Sequence, residues 1–348
     1  MPLTTRQPDF EQFLKVLRRQ GKPDHLPFYE HIASPGFIAT RTGTDFDKMT
    51  PETPGYWQIY VDFWVGMGYD CVPLERPLLC TLQAEEAATG ALSHRSEATA
   101  CLHSLADFER YPWPAESDPI EFEHFEIVAR LLPEGVKIVG GVAAGPFEWG
   151  TYFLGVEGLA MGLYDQPELV ERVFEKLGSL HTSANRQLAT MEAVGALRQG
   201  DDLGFKTSTF LKPADLRRLV LPIYRQMAAI AHAQDKPFIL HSCGNLAELY
   251  EDLIEDCHID AKHSFEEAIM PVEDFKAQYG DRMTPLGGLD VDMICRADEA
   301  QLRAYAREKI EKCFDDGYWA LGTGNSLTNY MPVENYLIVL DEGLKVTL

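Results

Sequence analysis

The sequence predicts a (β/α)8 barrel, in which eight parallel strands alternate with helices and close into a ring. Three observations favour this fold. Eight short apolar runs are separated by segments with helical spacing, which is typical of parallel α/β proteins. The length of 348 residues suits one large barrel. Polar residues follow almost every apolar run, and the active sites of such barrels lie in the loops after the strands.

The predicted strands follow one another along the chain. They cover residues 26–32, 69–74, 136–143, 196–203, 236–241, 259–264, 283–289 and 318–322. Helical spacing is clearest over residues 57–67, 156–190, 213–234 and 298–314. Residues 1–25 predict an amino-terminal helical extension, and residues 82–113 are irregular, which favours an insertion or a lid. We therefore expect one domain over residues 1–348.

Composition excludes several classes of partner. The formal net charge of −23 argues against nucleic acid and anionic membrane surfaces. No apolar run approaches the roughly 20 residues of a membrane span, and the amino end lacks the core of a signal peptide. Seven cysteines are scattered without a disulfide spacing, which favours reduced thiols. The expected compartment is the cytoplasm.

The most informative stretch is the apolar run that ends in His241-Ser242-Cys243-Gly244. A period of two places His241 and Cys243 on one side of an extended chain. Imidazole and thiolate are ligands that zinc prefers, so the pair is a candidate half of a metal site. The alternative is a buried cysteine beside a hydrogen-bonded histidine.

The other strand ends also carry polar or aromatic side chains. Some of these residues are expected to cap the following helices, above all Asp202, Asp292 and Asn325. The remainder favour a functional rim around the barrel mouth. The candidates are Glu30, His31, Glu75, Arg76, Glu148, Trp149, Asp201, His263, Glu266, Glu267, Asp290 and Thr323.

Several segments together resemble the uroporphyrinogen decarboxylase-like superfamily, which includes corrinoid-dependent methyltransferases. The segments are GGVAAGPF (140–147), GDDLG (200–204), LHSCGN (240–245), YGDRMTPLGGLDVD (279–292) and residues 317–335 with their late PVEN. Their order covers nearly the whole chain. The resemblance implies a (β/α)8 barrel, and it leaves decarboxylation, methyl transfer to a thiol and methyl transfer to a corrinoid open.

The resemblance is weaker to true decarboxylases of porphyrinogens. Those enzymes carry an arginine-bearing amino-terminal loop that holds a substrate with several carboxylates. The matching region here, residues 26–34, has no arginine and contains Glu30. An acidic pocket would repel such a substrate. Uroporphyrinogen decarboxylase is therefore the alternative to a methyltransferase.

The methyltransferase branch implies zinc bound by the His-x-Cys element, with a later cysteine near the eighth strand. Thr323 stands where that cysteine is expected, so the second sulfur ligand is missing. Distantly similar methionine synthases add a glutamate, which favours His241, Cys243 and Glu266 as the metal ligands. His263 and Glu267 are alternatives on the same loop. With less thiolate donation, a bound zinc would be a stronger Lewis acid.

We therefore predict a methyltransferase of the O-demethylase type, with methylcorrinoid:thiol methyl transfer as a further alternative. The donor would be a small methylated compound, such as a methoxylated aromatic. The acceptor would be the cobalt of a separate corrinoid protein, because the chain lacks the Asp-x-His-x-x-Gly element of corrinoid carriers. Related barrels often pair, which is compatible with a homodimer.

The predicted roles of the site residues follow from this reading. Glu266 and His263 are candidate acids should no metal be present, and Asp201 is expected to hold a substrate hydroxyl, orient a metal ligand or cap a helix. Residues predicted to bind the substrate are Glu30, His31, Phe147, Trp149, Tyr152 and Asn325.

Overall fold

A parallel sheet organises the protein in the computed structural model, which describes residue 3 and residues 6–82 and 100–346. Six strands lie side by side in chain order. They are β1 (Cys71–Pro77), β2 (Lys137–Ala143), β3 (Val194–Gly200), β4 (Phe238–His241), β5 (Ala261–His263) and β6 (Thr284–Pro285). Each neighbouring pair is parallel. All carboxyl ends therefore meet at one face, as a barrel requires.

The first and eighth predicted strands are present as short bridging segments rather than regular strands. Phe28 pairs with Leu321 in parallel, and Leu286 and Leu289 pair with Ala320 and Thr323. Backbone hydrogen bonds still join these segments, as from the amide of Tyr29 to the oxygen of Leu321. At Thr323 the amide donates to the carboxylate of Glu30 instead. The eight predicted strands correspond to these six regular strands and two bridging segments, and the α/β barrel is confirmed.

Helices surround the sheet. They are α1 (Phe10–Arg18), α2 (Pro35–Thr42), α3 (Tyr56–Gly66), α4 (Leu105–Arg110), α5 (Phe122–Leu131), α6 (Pro146–Leu154), α7 (Val156–Asp165), α8 (Pro167–Thr190), α9 (Pro213–Leu219), α10 (Leu221–His232), α11 (Val272–Tyr279), α12 (Val291–Arg296), α13 (Glu299–Cys313) and α14 (Val333–Leu344). None of the helices in the described ranges combines the length and apolar character that a membrane span needs.

Prolines divide two of the predicted helices. The region 156–190 is broken before Pro167, and the region 213–234 is broken at Val220, before Pro222. Proline lacks the amide hydrogen that a continuous helix needs. Of the irregular region 82–113, residues 83–99 lie outside the described part, and α4 occupies part of the remainder.

Helix α1 packs against the barrel interior at the amino-terminal ends of the strands. Asp9 caps its first turn by accepting from the amide of Glu11. Its buried side chains belong to a cluster with one residue from each strand or strand-like segment. The members are Phe10, Phe13, Val16, Leu17, Tyr29, Cys71, Val139, Ala196, Ile239, Ala261, Leu286 and Ala320. This cluster fills the interior of the barrel, and the active sites of such barrels lie at the face beyond the carboxyl ends of the strands.

Candidate metal centre

Three neighbouring strand ends bring potential metal ligands together. Gly200, His241 and His263 are register partners at the ends of β3, β4 and β5. The chain beyond β3 carries Asp202, and the chain beyond β4 carries Cys243. A carboxylate oxygen of Asp202, a ring nitrogen of His241 and the Sγ atom of Cys243 all lie within 4.8 Å of one another. This spacing allows all three to bind one ion.

Two glycines let the loops after β3 and β4 approach closely. A Cβ atom on Gly244, whose φ is +80°, would lie 2.2 Å from the carbonyl carbon of Gly204. Only glycine combines this positive φ with this contact at no steric cost. The amide of Cys243 can then donate to Oδ1 of Asp202 at 2.9 Å. The Sγ atom of Cys243 lies 3.5 Å from Nε2 of His241.

The sulfur of Cys243 is surrounded by hydrogen-bond donors. Oγ of Ser264 and Nδ2 of Asn325 each lie 3.4 Å from it. Burial, and next the charge of Asp202, raise the pKa of Cys243 above its ordinary value. The thiol is therefore protonated without an ion, and binding of a metal would release its proton.

Three histidine rings lie against one another beside this sulfur. Nδ1 of His241 is 2.7 Å from Nδ1 of His263, and the ring of His31 stacks on that of His241 with centroids 3.9 Å apart. Gly200 leaves the room for this stack, because a Cβ there would lie 3.0 Å from the ring of His31. Burial lowers the pKa of His263 to about 3, and burial followed by the charge of His263 lowers that of His241 well below its ordinary range. Both rings are neutral and keep a lone pair.

Arg198 supports this group from inside the barrel, and the sequence analysis did not identify it. The side chain is 1 % exposed. It donates to Nδ1 of His31 at 2.7 Å and to Oε2 of Glu75 at 2.9 Å. Arg198 lies within β3, where the sequence pattern predicts nothing beyond an ordinary strand residue. A charged residue within an otherwise apolar run was the available signal.

Asp201 ties β3 to the start of α6. Its carboxylate accepts from the amides of Phe147 and Glu148 at 3.0 and 2.9 Å and from the hydroxyl of Tyr224 at 2.7 Å. Burial raises the pKa of Asp201 to about 7, although these donors act in the opposite direction. Of the three predicted roles, helix capping is the one that these contacts support.

Glu266 does not join the group of three donor atoms, although the sequence predicts it as the third ligand. Its Oε1 accepts from the amide of Gly244 at 3.2 Å, and Asp202 occupies the third position instead. Glu267 is bound by Tyr305 and Lys309. Ser264, the residue after β5, has a φ of +81° and its hydroxyl still contacts Cys243, whereas the carboxylate of Glu266 reaches the amide of Gly244. The loop after β3 therefore supplies the carboxylate.

Glu30 lies inside the protein rather than at the cavity wall. It is completely buried and accepts from the hydroxyls of Thr323 and Tyr336, each at 2.7 Å, as well as from the amide of Thr323. Burial raises the pKa of Glu30 to about 7. The prediction that Glu30 binds substrate therefore lacks support in the geometry. Thr323 likewise points its side chain at Glu30, not at Cys243.

A cavity of about 610 Å³ opens above the three donor atoms. Of the residues predicted to bind substrate, four line it: His31, Trp149, Tyr152 and Asn325. Phe147 is not among the lining residues, because its ring packs on Phe210 with centroids 5.9 Å apart. Acidic side chains dominate the polar part of the wall; they are Glu75, Glu148, Asp201 and Asp202.

Of these four acids, Glu148 has the weakest hydrogen bonding at its carboxylate in the described part of the chain. Among the hydrogen bonds of the described residues, its carboxylate accepts one, from the amide of Gly145 at 3.4 Å. Burial, and then the charges of Asp201 and Asp202, raise the pKa of Glu148 well above its ordinary value. A carboxyl group in this setting keeps its proton to a higher pH than an ordinary glutamic acid does, and it can donate that proton.

The chain was compared with known families and solved structures. No curated protein matches it. A methyltransferase from Methanosarcina mazei is similar in structure, with a TM-score of 0.68, 18% identity and coverage of 99% of this chain and 98% of that one. A protein from Listeria monocytogenes named "Putative Vitamin-B12 Independent Methionine Synthase" gives a TM-score of 0.48, with 14% identity and coverage of 92% and 98%.

The likeness to the methyltransferase from Methanosarcina mazei shows the fold alone. The family model described as "Uroporphyrinogen decarboxylase (URO-D)" matches residues 9–343, which is almost all of the chain. With the barrel and the strand-end site in place, the chain belongs to the uroporphyrinogen decarboxylase family.

Proposed function

We propose that the protein is a metal-assisted methyltransferase, which moves a methyl group from a small methylated donor to the cobalt of a separate corrinoid protein. The observation that carries the proposal is the convergence of Asp202, His241 and Cys243 within 4.8 Å at the base of an open cavity. The fold, shared with a protein named as a methyltransferase, is consistent with it.

The donor set fits zinc. One carboxylate, one imidazole and one thiolate are ligands that zinc accepts, and three protein ligands leave a fourth position for substrate. Bound there, zinc would act as a Lewis acid toward the leaving atom of the donor. With a single sulfur, the set favours this role over activation of a thiol, which makes methylcorrinoid:thiol methyl transfer the weaker alternative.

A methyl ether is the donor we propose, such as a methoxylated aromatic. The bond between the methyl carbon and the ether oxygen breaks, and the methyl group passes to cobalt(I), which supplies both electrons of the new bond. The ether oxygen keeps its electron pair and needs a proton. Glu148 is placed to supply that proton at the cavity wall. The edge-to-face pair of Trp149 and Tyr152, with centroids 5.5 Å apart, offers flat apolar contact.

The barrel mouth offers an apolar surface to a corrinoid protein. Ile32, Phe205 and Tyr330, in loops that follow the strands, are 37%, 58% and 72% exposed. Large exposed apolar side chains around a cavity favour contact with another protein. A carrier that presents its cobalt above the cavity would cover them.

Decarboxylation of uroporphyrinogen is the second candidate, and the family's description favours it. The cavity wall opposes it, because four acidic side chains line the wall. Arg76, the basic residue among the lining residues, is paired with Glu121. A substrate with several carboxylates would find Arg76 already paired, and each of the four acids that is ionised would repel it.

The test is incubation of the zinc-loaded protein with cob(I)alamin and, separately, methoxyarenes, betaines and methylamines. The absorption bands of methylcobalamin should appear when the unaltered protein is given methoxyarenes. The same substrates should give no such bands with the Cys243→Ser variant. Arg110→Gln, an exposed change away from the cavity, serves as the control. Turnover of uroporphyrinogen without any corrinoid, or absence of methylcobalamin with every donor, would contradict the proposal.

A further inference from the structure

The hydrogen-bond chain from His241 to Thr323 fixes where each proton lies. The chain starts at a backbone carbonyl: Nε2 of His263 is 3.1 Å from the oxygen of Thr323. A carbonyl oxygen only accepts, so this nitrogen carries the hydrogen. In a neutral ring the other nitrogen, Nδ1, is then an acceptor.

The same reasoning assigns the hydrogen on the ring of His241. Nδ1 of His263 is 2.7 Å from Nδ1 of His241. Because the first accepts, the second must donate, and His241 therefore has its hydrogen on Nδ1. Its lone pair lies on Nε2, the atom that is 3.5 Å from Sγ of Cys243 and 3.9 Å from Oδ1 of Asp202.

We propose that His263 is a positioning residue, which holds His241 in the single tautomer able to bind a metal between Asp202 and Cys243. The inference rests on the proposed metal-assisted function and adds a role to a residue outside the donor set. His263 is completely buried, and both of its ring nitrogens are engaged. It is thereby withdrawn from direct contact with a substrate in the cavity.

The surroundings keep this arrangement rigid. Gly287 leaves space for the ring of His263, because a Cβ at that glycine would lie 3.0 Å from Nε2. The ring of Tyr29 packs edge-on against His263 with centroids 5.4 Å apart, and His31 stacks on the far side of His241. An imidazole that is stacked on a neighbouring ring and bonded through Nδ1 loses little freedom when its Nε2 binds an ion.

The first experiment uses the metal-free protein with 15N-labelled histidine. Two-bond correlations between ring nitrogens and carbon-bound hydrogens should show His241 with its hydrogen on Nδ1. His263→Leu should remove this preference, and His263→Asn, whose side-chain oxygen can accept from His241, should restore it. His241 found with its hydrogen on Nε2 in the unaltered protein would overturn the proposal.

The second experiment measures zinc affinity by competition with a chromophoric chelator. His263→Leu should weaken binding about 10- to 100-fold, the usual effect of losing a partner that orients a ligand, and His263→Asn should weaken it less. His181→Leu is the matched control, because His181 is equally buried but bonds only to the carbonyls of Leu177 and Ala144.

The two experiments separate two kinds of failure. Unchanged affinity in a folded His263→Leu variant would overturn the positioning role. Zinc that fails to bind to the unaltered protein, whatever its tautomer, would instead contradict the proposed function. Should the leucine variant not fold, the tautomer of the unaltered protein and the affinity of the asparagine variant still decide the question.

Discussion

At the scale of single residues, the third metal ligand is the sharpest difference between sequence and structure. Asp202→Asn should weaken zinc binding by more than about 100-fold, because a direct ligand contributes more than a group that orients one. Glu266→Gln should change affinity little, since Glu266 contacts only the amide of Gly244 among the bonds described. Zinc titrations of both variants check this, and the reverse order of effects would restore Glu266 as the ligand.

His241 and Cys243 could be predicted from sequence because they lie two residues apart at the end of one strand, where a period of two places both on one side. Asp202 and Glu266 lie on different loops, and sequence distance gives no measure of which loop turns inward. The deciding features are the contact between Gly204 and Gly244 and the positive φ of Ser264. Such backbone details depend on tertiary packing, so the pattern alone left the carboxylate open.

Glu30 gives a prediction about pH. Burial raises its pKa to about 7 from an ordinary value of 4.5, so the folded protein binds more protons than the unfolded chain between these values. The contribution of Glu30 to stability is therefore present below pH 4.5 and is lost as the pH rises to about 7. Glu30→Gln lacks this titration.

Relative to Glu30→Gln, the unaltered protein should thus lose up to about 3 kcal/mol of unfolding free energy across that range. Urea unfolding at about pH 5 and about pH 8 measures the difference. Glu299→Gln, an exposed site at the start of α13, is the control. A constant difference between the two proteins at both pH values would show that Glu30 stays ionised throughout.

At the scale of elements, Asp201 joins the end of β3 to the first turn of α6. Asp201→Ala should lower the free energy of unfolding by about 3 kcal/mol, because the amides of Phe147 and Glu148 lose their acceptor. Asp201→Asn keeps one oxygen and should lose less, and Tyr224→Phe, which removes one donor, about 1 kcal/mol. Chemical denaturation ranks the three. An alanine variant of full stability and no activity would favour contact with substrate instead.

The order of strands and helices could be predicted because period and turn signals are local. The regular extent of the first and eighth strands could not, since it depends on contacts between distant residues, such as the amide of Thr323 with the carboxylate of Glu30. The helix breaks near Pro167 and Pro222 could also have been predicted from sequence, because the effect of proline on a helix is local.

At the scale of the whole molecule, the proposed methyl transfer needs a second protein that binds above the cavity. Phe205→Asp combined with Tyr330→Asp should reduce kcat/KM for methyl transfer to a corrinoid carrier protein about tenfold, because charge replaces exposed apolar contact. The rate with free cob(I)alamin, which needs no docking surface, should be unchanged. Equal losses with both acceptors would show that these residues act on the cavity itself. The single-domain organisation and a homodimer remain predictions.

The central claim is that one divalent ion binds between the loops after β3 and β4. The most direct measurement is the absorption spectrum of the protein titrated with Co2+ as a substitute for zinc. We expect a thiolate-to-cobalt charge-transfer band that saturates at one ion per chain and disappears in Cys243→Ser, together with tetrahedral ligand-field bands that weaken in Asp202→Asn. A spectrum of hydrated cobalt alone, or one identical in the Cys243→Ser variant, would contradict the claim.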